Sequence, residues 1–468
     1  MQLPIVKPAP IVSEHSTAFQ GLFKNCCQFQ HFQSYLTGLI VLNNKTMANI
    51  TRCVLDSADK TNLSRFFSEA DWDVEAVNKK RIAYLLQKTK KHRLSTRKSV
   101  LSIDDTLLEH VGSLFEYIDK HYNHGNNTYP LAHNLVTSHY VSGAVRFPVG
   151  WRLYRRYEEF TSWSLFVEKH FPDATIPKRK KERNKFKREV EPTLLTDPEF
   201  LALHEAFRTK ISLAVALIKE AVTQKLSFET ALFDSWYLSP ELIKLLADYD
   251  KKWISLLKRN RNISTNNLRI LDEDGKRIQF DKSKIKVEDL IPLIPATAFK
   301  PVKVGDRTYY CFSKNVHIAS LGKVRLVISF DNPDLEGTFA LLVTNHLSWN
   351  AKKIIETYLL RWPIETFYQD AKQQLGLNQY RMRKAKAIQK HWCLVFVAYS
   401  FLHLDCLPES RRQKVRTPIK TIGQIVRQQT RQLIEELLLH THKLLNQGID
   451  VSQVFTELFA KQIYTMPA

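Results

Sequence analysis

The chain has 468 residues, room for two or three domains, and its hydrophobic (44%) and charged (25%) contents are ordinary for a globular protein. Its charge is not: 69 Lys and Arg against 47 Asp and Glu leave a formal +22, a surface suited to a polyanion, of which nucleic acid is the commonest. Six cysteines without a C-x-x-C pair argue against a zinc finger or a disulfide framework and for a reducing cytoplasm, and the longest apolar run, Cys393 to Leu404, is too short to span a bilayer.

Residues 1–20 are proline-spotted and read as an irregular leader. From about residue 28 to 87, HFQSYLTGLIVL, NLSRFFSEA and DVEAVNKKRIAYLLQ place apolar residues three and four apart, which predicts a compact helical bundle. KTKKHRLSTRK (88–98) carries six basic residues and no acidic one, and a short β run follows, Ser99 to Ile103, stopping at Asp104-Asp105-Thr106. NLVTSHYV and AVRFPV read as further strands, with WRLYRRY (151–157) at the sheet's edge or leaving it. Eight basic residues and one acidic one lie between Lys178 and Arg188. Asp197 then caps a helix with Pro198 in its first turn and an apolar face through Phe200, Leu203, Phe207, Ile211 and Val215. SFETALF ends as a strand in Asp234-Ser235-Trp236-Tyr237, and KWISLL ends in the run Lys258 to Asn262. Short strands and turns fill about 264–334, after which TFALLVTN leads through Ser348, a candidate N-cap, into a long helical region from Trp349. The last 60 residues read as basic helices, RRQKVR and then RQQTRQLIEELLLHTHKLL.

Asp105 and Asp234 each follow a hydrophobic strand, where ligands gather in α/β sheets, and a carboxylate there is a hard oxygen donor suited to Mg²⁺ or Mn²⁺. An aspartate so placed is more often a turn or capping residue, so each is weak alone. Tyr358, Arg361, Glu365 and Lys372 give a stronger signal, being offset by 0, 3, 7 and 14 residues. On one continuous helix, at ~100° per residue, all four fall within an arc of roughly 60°. An Arg and a Lys flanking one Glu suit a site that holds a metal and anionic phosphates together, while a solvated, ion-paired stripe is the plain alternative. Pro363 leaves two geometries open: a kink within one helix, or the first turn of a new one, with Tyr358 and Arg361 approaching from the preceding segment. Trp362 and Trp236 beside these residues are candidates for stacking an unpaired base, although large aromatics are more often core. His133, His139 and His391 read as structural or DNA-contact residues. The basic stretches 88–98, 178–188, 258–261 and 381–390 are candidate DNA tracks.

The stretch YLLRWPIETFYQDAK resembles the Y-(2)-R-(3)-E-(6)-K signature of DDE transposases of the insertion-sequence-four superfamily, with every spacing met. The likeness continues into LGLNQYRMRKAKAI, and IDDT (103–106), LFDSWY (232–237) and LLVTN (341–345) resemble that family in the same order, so that roughly residues 20–405 are covered. The resemblance implies an α/β fold with a ribonuclease-H-like catalytic domain (96–263 and 338–408) split by a β-rich insertion (264–337). An N-terminal helical DNA-binding domain (21–95) and a C-terminal helical region (409–468) flank it. By the same resemblance Asp105, Asp234 and Glu365 bind two Mg²⁺ or Mn²⁺ ions. Tyr358, Arg361 and Lys372 contact phosphates by that resemblance. A basic run for Lys258 and Arg259, and a place inside the signature for Trp362, make these three further candidates for DNA contact. The family's first aspartate precedes Thr, which selects Asp105 over Asp104, and a one-residue slip along the strand would exchange the two. The implied activity is transposition. A cytoplasmic, nucleoid-associated prokaryotic enzyme with no membrane partner would bind terminal inverted repeats, cleave them by way of a hairpin and join them to target DNA, as a homodimer on paired ends. The alternatives are a ribonuclease-H-like nuclease or resolvase that cuts without joining, and a relic that only binds DNA.

Overall fold

The structure, a computed structural model, describes residues 2–55, 59–266, 268–408 and 420–463. Helices α1 (Pro10–Ser16), α2 (Cys26–Val41), α3 (Met47–Cys53), α4 (Lys60–Ser68) and α5 (Val74–Lys88) open the chain. Asn25, Thr46, Asp59 and Asp73 each accept a first-turn N–H, which fixes where α2 to α5 begin. The expected loose leader instead carries α1, with Pro10 in its first turn and Ile11 and Val12 buried. The Ile11 amide donates to Gln429 Oε1 at 3.0 Å, so this segment is tied to the far end of the chain. Helix α3 packs against α2 at Gly38, where a Cβ would lie 2.5 Å from Ile50 Cγ1. Gly38→Ala is therefore expected to destabilise the protein by about 1–3 kcal/mol through overpacking, read from the urea midpoint.

One sheet of ten strands organises the rest. β1 (Ser99–Glu109), β2 (Asp119–Lys120), β3 (Leu131–Ser142) and β4 (Val145–Tyr154) come first. A small helical lobe follows, α6 (Tyr157–Phe160), α7 (Trp163–His170), α8 (Lys180–Leu194) and α9 (Pro198–Ala206), packed on its own core of Trp163, Val167, Val190, Leu194 and Phe200. Then come α10 (Lys210–Thr223), β5 (Thr230–Phe233), α11 (Pro240–Asp248) and β6 (Lys252–Leu256). β1 runs antiparallel to β3 and parallel to β5, β3 antiparallel to β4, and β5 parallel to β6. The central order is thus β4–β3–β1–β5–β6.

The apolar periodicity from Phe200 to Val215 predicted one helix, and the structure breaks it in two. Phe207 is extended (φ −62°, ψ 140°) with its ring against Tyr157, and Thr209 starts α10 by accepting the Ser212 N–H. A local cap and an aromatic contact thus override periodicity.

The β-rich segment holds β7 (Asn262–Ser264), β8 (Lys284–Lys286), α12 (Val287–Leu290), β9 (Lys300–Val304), β10 (Arg307–Ile318) and β11 (Gly322–Phe330), and is followed by β12 (Phe339–Thr344). β12 pairs antiparallel with β6, and β11, β10 and β9 continue outward from it, so the inserted strands extend the central sheet. The remaining elements are α13 (Ala351–Tyr358), α14 (Trp362–Gln373), α15 (Ala385–Cys406), α16 (Ile422–Asn446) and α17 (Val451–Ile463). Asn350, rather than Ser348, caps α13. The run RRQKVR lies outside the described residues.

Side-chain alternation along the strands divides the core. Leu101 and Ile103 of β1, with Ala231 and Phe233 of β5, face α10 and α11. Val100 and Leu232 face the other way, onto Ala351, Ile354 and Ile355 of α13. The apolar run from Cys393 is buried in α15. Among the described residues no helix is long and apolar enough to cross a membrane.

Candidate active site

The parity of β1 decides where its two aspartates point. In the parallel register with β5, Val100 lies opposite Thr230 and Ser102 opposite Leu232. Asp104 therefore has the parity of Val100, which turns toward α13, and Asp234 directly follows β5, with both carboxylates acting on the Tyr358 hydroxyl. Asp105 points to the opposite face. There its Oδ1 accepts from the Tyr237 hydroxyl at 2.8 Å and its Oδ2 meets Lys210 Nζ at 2.7 Å. The structure therefore brings Asp104, and not Asp105 as the sequence suggested, to the other residues of the signature.

Those residues come from a bend. α13 ends at Tyr358, a single 3₁₀ turn spans Leu359–Arg361, and α14 begins with Pro363 in its first turn. This is the second of the two geometries that Pro363 left open. Arg361 Nη1 donates to Asp104 Oδ2, and its Nη2 donates to Glu365 Oε1 at 3.1 Å, so one guanidinium bridges the β1 carboxylate and the α14 carboxylate. The Tyr358 hydroxyl reaches the Phe233 carbonyl at 3.5 Å, one residue before Asp234. Asp234 Oδ1 accepts the Trp236 N–H at 2.8 Å, which fixes its side chain in a turn at the strand's end.

The electrostatics agree with this clustering. Burial pushes the Asp104 carboxyl up, and Glu365 and Asp105 add to the shift while Arg361 opposes it. Burial also raises Tyr358, helped by Asp234 and Asp104 and opposed by Arg361. Burial works against the Arg361 charge, yet Asp104, Tyr358 and Glu365 together hold its pKa above the usual value. Lys372, two turns after Glu365 on α14, is lowered by burial and partly restored by Glu109 and Glu365. Among the described residues no three His, Cys, Asp or Glu side chains converge closely enough to enclose a metal ion. The donors themselves fit a hard divalent ion, since Asp104, Asp234 and Glu365 all offer carboxylate oxygen.

The remaining candidates separate. Trp236 and Trp362 are 57% and 66% exposed, so neither is core. Lys210 and Lys258 place their ammonium groups 5.9 and 5.6 Å from the Trp236 ring, and Arg259 lies over Phe339 at 4.2 Å. His133 and His391 are buried and bonded to the hydroxyls of Tyr380 (2.7 Å) and Tyr35 (2.8 Å), and His139 is buried without a ligand-like neighbour set, all structural placements. Lys210 and Tyr237 were missed from sequence. The sequence signal for Lys210 was the Thr209 cap one turn before a well-formed apolar face, and it was masked by the continuous periodicity.

This chain belongs to the DDE superfamily endonucleases, whose family model matches residues 18–268, more than half of its length. A second model, the transposase DDE domain, matches residues 169–401, so the two together span every residue of the candidate site. No relative matches among curated protein sequences. Among solved structures, the cryo-EM structure of a piggyBac transposase synaptic complex with hairpin DNA is similar at 11% identity and a TM-score of 0.42, over 95% of this chain and 82% of that one. The crystal structure of the NurA nuclease from Sulfolobus solfataricus is similar at 12% identity and a TM-score of 0.20, over 64% of this chain and 88% of that one.

Proposed function

We propose that this chain is a DNA transposase whose centre is built from Asp104, Asp234 and Glu365. The observation that carries the proposal is the cluster at the ends of neighbouring elements: Arg361 bridges Asp104 of β1 and Glu365 of α14, and Asp234 directly follows β5, the parallel neighbour of β1. The order β4–β3–β1–β5–β6, antiparallel on one side of β1 and parallel on the other, supports a ribonuclease-H-like reading of the sheet. The DDE family models and the +22 charge support DNA as the substrate.

Asp104, Asp234 and Glu365 would hold the divalent Mg²⁺ or Mn²⁺ ions that such centres use, which supply Lewis-acid polarisation of the scissile phosphate and a lowered pKa for the attacking hydroxyl. The chain's own residues bind and orient. Arg361 links the Asp104 and Glu365 carboxylates and offers guanidinium N–H groups to a phosphate there, and Tyr358 and Lys372 would add a hydroxyl and an ammonium. Trp236 and Trp362, exposed beside the centre, offer faces for an unpaired base, and Lys258 and Arg259 offer phosphate contacts. Recognition of terminal inverted repeats by the N-terminal helices, a hairpin on the excised end, a homodimer on paired ends and a nucleoid location belong to this reading through the family resemblance.

The test is cleavage and joining by the full chain, with Mg²⁺ or Mn²⁺, on duplexes bearing the repeats that flank its own coding sequence. Strand-transfer products are expected. Cutting without joining would favour the nuclease reading, and binding without cutting the relic.

A further inference from the structure

We infer that the cleft between the α2–α3 loop and the segment after α14 reads the base edges of the bound duplex, about five base pairs from the scissile phosphate. The inference rests on the transposase reading and adds to it where the sequence of a DNA end is recognised.

The cleft has a volume of about 630 Å³ and lies at the end of β1, where Glu109 and His110 form part of its wall. Asn43 enters it from one side, and Asn378, Gln379 and Arg381 enter from the other. Asn43, Gln379 and Arg381 are exposed, and within the described residues none of these four side chains makes a hydrogen bond or ion pair. Amides and a guanidinium are the groups that address purine edges in the major groove: Asn and Gln pair bidentately with adenine, Arg with guanine. A merely solvated loop would not need its two halves interlocked, and these are. Gly376 has a φ of +67°, and a Cβ there would fall 2.5 Å from Lys45 Cγ, so the two loops meet as closely as the backbone permits. Lys45 is itself buried, with its pKa pushed down to about 7 by burial. The readers are therefore mounted on a fixed frame.

Distance sets the register. Glu109 follows Asp104 by five residues along β1, or ~17 Å at ~3.3 Å per residue. At ~3.4 Å per base pair, a duplex lying along this line brings roughly the fifth pair over the cleft. Arg383, Lys386 and Lys384, the last paired with Glu116 at 2.7 Å, continue beyond Arg381 as exposed cations, placed to hold the backbone on which the bases are carried.

The experiment selects tight binders from a pool of random-sequence duplexes with the full chain, and compares wild type with N378A/Q379A and with R381A. Cleavage positions are then mapped on the selected duplexes. Wild type is expected to enrich a motif. In the variants, discrimination at one to three adjacent pairs, about four to six from the cut, should fall by about 10- to 100-fold. Affinity for unselected duplex should fall by less than the discrimination does, and a urea midpoint close to that of wild type reports that both variants fold. An unchanged motif in both variants, or altered positions more than about ten pairs from the cut, overturns the inference while leaving the transposase reading in place. If wild type retains no duplex at all, the transposase reading falls and the inference with it.

Discussion

Asp104→Asn and Glu365→Ala are each expected to lower strand cleavage by about 10³-fold or more, while Asp105→Asn leaves it within about tenfold. The contrast follows from strand parity. Asp104 acts with Asp234 on the Tyr358 hydroxyl and is linked through Arg361 to Glu365, whereas Asp105 is engaged by Lys210 and Tyr237 behind the sheet. Losing Asp104 or Glu365 removes a donor that contributes in the transition state, so the rate falls and DNA binding persists. Asp105→Asn keeps an acceptor for the Tyr237 hydroxyl and loses an ion pair whose partners are 18% and 20% exposed. Its cost belongs to stability, about 1–3 kcal/mol. Single-turnover cleavage with parallel gel-shift binding separates these outcomes. Equal loss of cleavage in both aspartate variants would undo the assignment of Asp104, and undiminished cleavage by Glu365→Ala would undo the site.

Arg81→Met is expected to cost about 3–5 kcal/mol of stability, the largest effect away from the site. Arg81 is 1% exposed and its five N–H groups all have acceptors: Asn78 Oδ1 takes two (3.0 and 2.6 Å), Pro148 O and Val149 O one each (both 2.8 Å), and Ser400 Oγ one at 2.9 Å. The carbonyls are available because β4 bulges there, the register with β3 shifting from Ser138–Gly150 to His139–Pro148. Burial lowers the Arg81 pKa to about 10, still well above neutrality, so the guanidinium stays charged in this network. Met fills the volume but leaves Asn78 Oδ1 and the Pro148 carbonyl without these donors, while Val149 O keeps only the one from Asn78 Nδ2. Urea unfolding measures the change, and a loss below about 1 kcal/mol would show that water satisfies them instead.

Much of this was legible in the chain. The runs SVLSI and SFETALF announced strands because that signal is local. But β1 continues to Glu109, so Asp104 and Asp105 lie within it and not after it, and the spacing from Tyr358 to Lys372 is shared between two helices and not laid on one. The choice between Asp104 and Asp105 was not, since it depends on which residue of β5, 130 positions away, stands opposite each residue of β1. Arg81 read as one more charge in NKKRIAYLL, because a bulge in β4 leaves no trace in the helix that answers it. The break at Phe207 hid beneath continuous periodicity, and it is the break that sets Lys210 against Asp105. The β-rich block was legible as strands, but strands do not declare their partners, and so its union with the central sheet was not.

That union has a bearing on how the chain could ever be shortened. β12 is held on one side by β6 and on the other by β11, and its sequence, FALLVT, is apolar at five of six positions. Remove the block before it, and β12 becomes a bare, unpaired edge of the kind on which separate chains nucleate stacked aggregates. These strands therefore act as a guard rail, keeping separate copies of the chain from adding to one another through their sheets.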